Sequence, residues 1–318
     1  MTARVTVVVP TLGRPSLTRL LDRLAGAPVD LVVVDDRAVP AGTLPIPPGV
    51  DAKVLTGRAA GPAAARNVGW RTARTEWVAF LDDDVVPDAD WAERLLADLT
   101  AAPDYVGGVQ GNLRVPLPAG RRPTDWERVT AALADGEWIT ADMAYRREAL
   151  DRAGGFDERL PRAFREDAEL AHRVRRAGYA LARGERTVTH PVRPESRWVS
   201  VRTQRGNADD GLLRRMYGRR WRTILGIPPG RRARHVTITV AAVAAVAVPN
   251  RWVRAAAALA WAAGTAEFAA ARIEPGPRTP AEVATMLVTS AVIPPAATAH
   301  WVRGWFAARG ARPLETRP

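Results

Sequence analysis

Apolar residues recur along the first 110 positions in two rhythms. Short unbroken runs, Val5-Thr6-Val7-Val8-Val9, Leu31-Val32-Val33-Val34 and Trp77-Val78-Ala79-Phe80-Leu81, stop at Pro10 or at aspartates and read as buried strands. Val54-Leu55 and Tyr105 to Gln110 add two more. Between these runs the spacing predicts helices from Ser16 to about Leu24, around Pro62 to Arg74, and from Asp90 to Thr100. Strands alternating with helices predict an α/β fold on a mostly parallel sheet. Ligands of such sheets sit beyond the carboxyl ends of the strands, where Asp35-Asp36 and Asp82-Asp83-Asp84 both lie, so the two acidic clusters are expected to line one crevice.

Further along, Arg114 to Pro123 is rich in proline and arginine and predicts a mobile loop. Trp138 to Tyr145 reads as a strand, Arg147 to Ala153 as a short helix stopped by Gly154-Gly155, Asp167 to Ala177 as a helix ended by Gly178, and Thr187 to His190 as a short strand. The last third changes character. Val236 to Val248 is apolar for 13 residues, about 20 Å as a helix and too short for a hydrocarbon core of about 30 Å. Trp252 to Ile273 is longer but carries Arg254 and Glu267, and Ala281 to Val302 holds Pro294-Pro295. These segments predict interfacial or re-entrant helices, or a helical pair that crosses a bilayer imperfectly. The competing expectation is a helical subdomain packed on the core or on another subunit. The expected organisation is one domain over residues 1–192, a basic linker over 193–234, and a helical, hydrophobic, membrane-associated region over 235–318.

Composition narrows the function classes. The 318 residues contain no cysteine, which removes disulfides, zinc-thiolate sites and cysteine nucleophiles. The first apolar run ends after five residues, a strand rather than a signal peptide. A formal net charge of +12 points toward nucleic acid or a membrane, but residues 1–192 hold 26 Lys and Arg against 27 Asp and Glu. Residues 193–234 carry a net of +9 and residues 235–318 a net of +4. The basic character therefore belongs to the last third, as in an enzyme with an electrostatic anchor, and no nucleic acid partner is expected.

The aspartate triplet asks for a cation, because carboxylates this close repel one another and oxygen-rich clusters suit Mg²⁺ or Mn²⁺. Residues two apart in a strand share a side, so Asp82 and Asp84 are candidates for one ion while Asp83 turns elsewhere. The plainer alternative is an acidic loop capping the helix that begins near Asp90.

Six fragments occur in the order and spacing of family 2 glycosyltransferases: Val7-Val8-Val9-Pro10-Thr11, Val32-Val33-Val34-Asp35-Asp36, Ala65-Arg66-Asn67-Val68-Gly69, Phe80-Leu81-Asp82-Asp83-Asp84, Gly154-Gly155-Phe156-Asp157-Glu158 and Arg165-Glu166-Asp167-Ala168-Glu169-Leu170. The chain resembles that family over roughly residues 4 to 192. The resemblance implies a GT-A fold, a Rossmann-like mixed sheet, with a nucleotide-sugar bound across its first strands. It implies that Asp36 bonds the base above a floor of Pro10 and Thr11, that Asp83 reaches the ribose, and that Arg66 lies near the phosphates. Asp84 would bind the metal, with Asp82 and His190 as further ligands. Of the pair Glu166 and Asp167, the second is nominated as the base that takes the acceptor's proton. Glu166 itself is equally well read as a helix N-terminal charge. Asp142 departs from the asparagine usual in relatives, which puts donor-sugar or acceptor contacts there in doubt.

The implied function is inverting transfer of a sugar from a nucleoside-diphosphate sugar to a glycan or lipid-linked hydroxyl, aided by Mn²⁺ or Mg²⁺. The implied setting is cell envelope polysaccharide synthesis, with a cytoplasmic active site at the inner face of the membrane. Alternatives are a glycosyl-phosphoprenol synthase, which the hydrophobic tail permits, and a non-catalytic basic module that binds membrane or nucleic acid. A nucleotidyltransferase is disfavoured, because no glycine-rich, arginine-containing loop follows the first strand.

Overall fold

The computed structural model describes residues 4–40 and 42–315. Residues 1–3 and 316–318, the outer ends of the expected first and third segments, lie outside them. The chain forms two compact units: unit 1 takes residues up to 116, 131–191 and the end from 314, and unit 2 takes 117–130 and 192–313.

Unit 1 opens with β1 (Val5–Thr11), α1 (Ser16–Leu24), β2 (Asp30–Asp35), β3 (Ala52–Thr56), α2 (Pro62–Trp70) and β4 (Trp77–Leu81). It continues through β5 (Val86–Pro87), α3 (Trp91–Ala101) and β6 (Val106–Arg114). After the excursion into unit 2 that carries α4 (Asp125–Ala131), it resumes with β7 (Asp142–Arg146), α5 (Arg147–Ala153), α6 (Glu166–Arg176) and β8 (Ala180–Thr189). The strand order is β3-β2-β1-β4-β7-β6-β8-β5. The first four are parallel, β7 runs antiparallel to both β4 and β6, and β6 returns to parallel with β8. The result is the mixed α/β sheet expected of a GT-A fold.

Alternation along β1 explains why helices cover both faces. Val5, Val7 and Val9 point into a core shared with Leu17, Leu20 and Leu21 of α1 and Leu95 and Leu99 of α3. Val8 points the other way, among Ala63 and Ala65 of α2, Leu150 of α5 and Leu170 of α6. From the central β1 the chain builds β2 and β3 to one side and then crosses back to place β4 on the other. That reversal opens a crevice at the carboxyl ends of β1 and β4. The entry to α2 depends on Gly61, whose φ of 93° is left-handed and whose added Cβ would stand 2.0 Å from the Pro161 carbonyl oxygen.

Three elements differ from the sequence pattern. The strand expected from Trp138 starts only at Asp142, because Gln110 Oε1 accepts from the backbone amides of Trp138 and Ile139 and Trp138 has a φ of 64°. β8 is longer than Thr187 to His190, since it pairs along β6 from Val106 to Arg114. The stretch after Arg114 leads into α4 within unit 2.

Unit 2 contains α7 (Val199–Arg202), a 3₁₀ turn (Thr203–Gly206), α8 (Asn207–Tyr217), α9 (Trp221–Ile224), α10 (Arg232–Ala247), α11 (Arg251–Ile273) and α12 (Pro280–Ala307). Asn250 caps α11 by accepting from the amides of Trp252 and Val253 at 2.9 and 3.2 Å. α12 runs through Pro294-Pro295 and packs against α8, α10 and α11. Its buried face includes Thr289 and Ser290, which accept from the guanidinium of Arg272 at 2.8 and 3.0 Å. The same guanidinium holds Asp125 of α4 at 2.7 Å.

Candidate active site

The first strand ends in a small polar knot. Thr11 Oγ1 donates to Asp83 Oδ2 at 2.6 Å, and Arg14 donates to Asp83 Oδ1 at 2.7 Å. Thr11 thus ties the end of β1, beside Pro10, to the loop after β4. Asp36 follows β2 and is buried; its carboxylate accepts from the backbone amides of Arg58 and Gly61 at 3.0 and 2.9 Å. Gly57 is needed beside it, because a Cβ there would lie 2.4 Å from Asp36 Oδ1. Asp35 instead closes a local turn on Arg37, and that guanidinium holds its carboxyl below the usual range.

The three aspartates after β4 part company because the strand ends at Leu81 and the chain turns. Asp82 Oδ1 accepts from Arg66 at 2.8 Å, while the other arm of Arg66 donates to Glu166 Oε1 at 2.9 Å. Arg66 is fully buried, stacked 5.4 Å from the centre of the Phe156 ring. Asp84 turns to His190, with Oδ1 3.6 Å from Nε2. On the other side of the ring, the Pro191 carbonyl lies 3.2 Å from His190 Nδ1 and accepts from it. A carboxylate and an imidazole are both donor types that a divalent ion takes. Among the described residues no three acidic or imidazole side chains gather around one point.

Glu166 and Asp167 open α6, preceded by Arg165 at a left-handed φ of 78°. Glu166 is buried and also accepts from the Phe164 amide at 2.6 Å. Asp167 is partly exposed, and its Oδ1 accepts from the Ala168 amide at 2.7 Å. Both carboxyls are held above the usual carboxylate range, by burial first. The Asp167 charge adds to the effect on Glu166, which is pushed up to about 7 against the opposing pull of Arg66.

Several partners had no visible signal in the chain. Asn67 donates to the Phe156 carbonyl at 2.9 Å and to Glu158 Oε1 at 2.7 Å, which stitches α2 to the Gly155–Glu158 turn. Gly155 makes room, since a Cβ there would sit 2.6 Å from Asn67 Oδ1. Asp142 has both oxygens engaged, by Arg186 at 2.8 Å and by Trp91 Nε1 at 2.7 Å. It is a buried ion pair fixing the start of β7 beside Leu81.

Residues 6–150 match glycosyl transferase family 2. The match runs from β1 into α5. Glu166, Asp167 and His190 lie beyond the matched residues. Among curated proteins, the chain is similar to a pre-mycofactocin glycosyltransferase of Mycobacterium tuberculosis, 34% identical over 195 residues, covering 56% of this chain and 40% of that protein. The chain therefore spans about two-fifths of that relative. It is also similar to the succinoglycan biosynthesis protein ExoM of Rhizobium meliloti, 27% identical over 234 residues, covering 67% of this chain and 75% of that one. Among solved structures, S. aureus TarS 1-349 in complex with UDP-GlcNAc aligns at 16% identity and a TM-score of 0.47, covering 97% of this chain and 92% of that one.

Proposed function

We propose that the chain transfers a sugar from a nucleoside-diphosphate sugar to a hydroxyl of a glycan or lipid-linked acceptor, with inversion and with a divalent metal. The observation that carries this reading is the bridge Asp82–Arg66–Glu166, which joins the acidic end of β4 to the acid pair of α6 through one buried guanidinium. Donor-binding groups and a base are thereby held on a shared strut.

In this reading Pro10, Thr11 and Asp36 take the base of the nucleotide and Asp83 the ribose. Arg66 serves the phosphate end through the position it imposes on Asp82. Asp84 and His190 would hold Mn²⁺ or Mg²⁺, which when bound stabilises negative charge on the leaving diphosphate. Asp167, partly exposed and with a raised pKa, accepts the proton of the acceptor hydroxyl as that oxygen attacks the anomeric carbon opposite the leaving group. A single displacement of this kind inverts the anomeric centre. The match of residues 6–150 to family 2 and a relative named for succinoglycan biosynthesis support a polysaccharide acceptor, and apolar helices in unit 2 support work at the inner face of a membrane.

The test is Asp167→Asn. Transfer should fall by about 10²–10⁴-fold while calorimetric binding of the nucleotide-sugar is retained. Undiminished turnover would remove Asp167 from the role.

A further inference from the structure

Of the described helices, α12 alone is long and apolar enough to cross a membrane. Its packing assigns it a different task. Met286, Thr289, Ser290, Ile293, Ala297 and Gly304 are buried along one side, and Thr289 and Ser290 accept from the buried Arg272. It is the central helix of unit 2.

α12 leaves Leu287, Val288 and Phe306 about half exposed, but the most exposed apolar side chains of unit 2 lie on the α10–α11 hairpin. Val240, Val243 and Val246 of α10 are exposed by 60, 60 and 83%, and Trp252 and Leu259 of α11 by 71% each. From Ala255 to Ala266 α11 carries no charged residue, and only Ala257, Trp261, Gly264 and Thr265 are even partly covered. A helix exposed in water has a polar outer face; this one has an apolar face, which calls for a second phase.

Charge fixes how the hairpin meets that phase. Arg231 and Arg234, paired with Glu267, stand at its base. Arg251 and Arg254 stand at its turn, exposed and without a salt-bridge partner among the described residues, with Arg251 4.7 Å from the Trp252 ring centre. Crossing the bilayer would carry Arg251 and Arg254 through hydrocarbon, and the largely apolar part of α10, Val236 to Ala247, reaches only about 18 Å. Lying flat leaves both ends among headgroups, with arginine heads snorkelling to phosphate and Trp252 at the interface.

We infer that the α10–α11 hairpin lies flat in the surface of an anionic bilayer as a monotopic anchor, with α12 as its scaffold rather than a span. The net charge of +9 over residues 193–234 is complementary to such a surface. This inference rests on the membrane part of the proposed function and not on the transfer chemistry, so donor binding in solution is an independent control.

The experiment is co-sedimentation of the full chain with phosphatidylcholine vesicles, with and without phosphatidylglycerol. Binding is expected only with the anionic lipid. The double variant Val246→Asp with Leu259→Asp should abolish it while retaining donor binding. Arg251→Ala with Arg254→Ala should weaken it about 30-fold, at about fivefold per arginine. Equal binding to neutral vesicles, or unaltered binding by either double variant, overturns the inference. So does a stable dimer in sedimentation velocity that the aspartate variant dissociates. Because the chain has no cysteine, a fluorophore on Pro249→Cys reports the turn alone. Externally added dithionite should quench it completely, whereas a protected fraction shows that the hairpin crosses.

Discussion

In unit 1 Arg66, Arg173 and Arg186 expose no more than 1% of their residue surface, whereas in unit 2 Val246, Trp252 and Leu259 expose 83, 71 and 71%. Each buried arginine is paired: Arg66 with Asp82 and Glu166, Arg173 with Glu169, and Arg186 with Asp142 and Asp98. Burying a charge pair gains little net stability compared with apolar packing, so these pairs are best understood as position holders for the carboxylates they grip. Exposing apolar area gains nothing in water, so that surface is best understood as shaped for another phase. One unit has given up packing for geometry, and the other exposes apolar area that its own packing does not use.

The harshest way to break this comparison is Arg66→Met, which keeps volume and removes the charge. It leaves Glu166 without its cationic partner and frees Asp82, and loss of one partner from a buried pair costs about 3–5 kcal/mol. Urea unfolding followed by tryptophan fluorescence should show a loss of that order. A loss below about 1 kcal/mol would mean that the bridge is worth no more than a surface pair and that the crevice keeps its shape without it.

A gentler change, Glu166→Gln, sharpens the same point through pH. The folded pKa of Glu166 is raised to about 7, so between roughly pH 4 and that value the folded chain holds a proton that the unfolded chain has released. Its contribution to stability is therefore fully present below the unfolded pKa and is lost as pH rises through about 7. Glutamine does not titrate. Relative to the wild type, the variant should gain on the order of 2 kcal/mol between pH 5 and pH 8, read from denaturation midpoints at each pH. The transfer rate should run the other way in the wild type, falling with acid as the base is protonated. Parallel stability profiles for the two proteins would show that Glu166 is ionised throughout.

The strands and helices of unit 1 were legible because their apolar periods are strong and their ends are marked by the aspartates and by Gly154 and Gly178, although β1 runs on through Pro10 to Thr11. The carboxyl-end crevice followed from that alternation. What the chain could not display were partners distant in sequence. α4 is secured by Arg272, 147 residues from Asp125, and nothing local distinguishes that segment from a loop. The delayed start of β7 depends on Gln110, 28 residues before the Trp138 amide that it holds. The triplet shows the same limit at the site. Strand periodicity puts Asp82 and Asp84 on one side, but the strand ends at Leu81, and Arg66 and His190 draw the two carboxylates to different partners. His190 was legible only by its distance from Asp167 in the resembling motif, and Arg14, which grips Asp83, carried no signal.

The smallest expected effect discriminates most sharply between the units. Leu259→Gln removes a large apolar side chain, and in a core such a change costs several kcal/mol because the polar group loses water and the packing loses volume. At 71% exposure neither loss applies, so folding stability should stay within about 0.5 kcal/mol of the wild type. The same substitution at Leu21, buried between α1 and the sheet, should be severely destabilising. If Leu259→Gln instead cost more than about 2 kcal/mol in dilute protein without lipid, its side chain would have to be covered in solution. The outer face of α11 would then be an interior surface, and the contrast between the two units would reduce to one of charge alone.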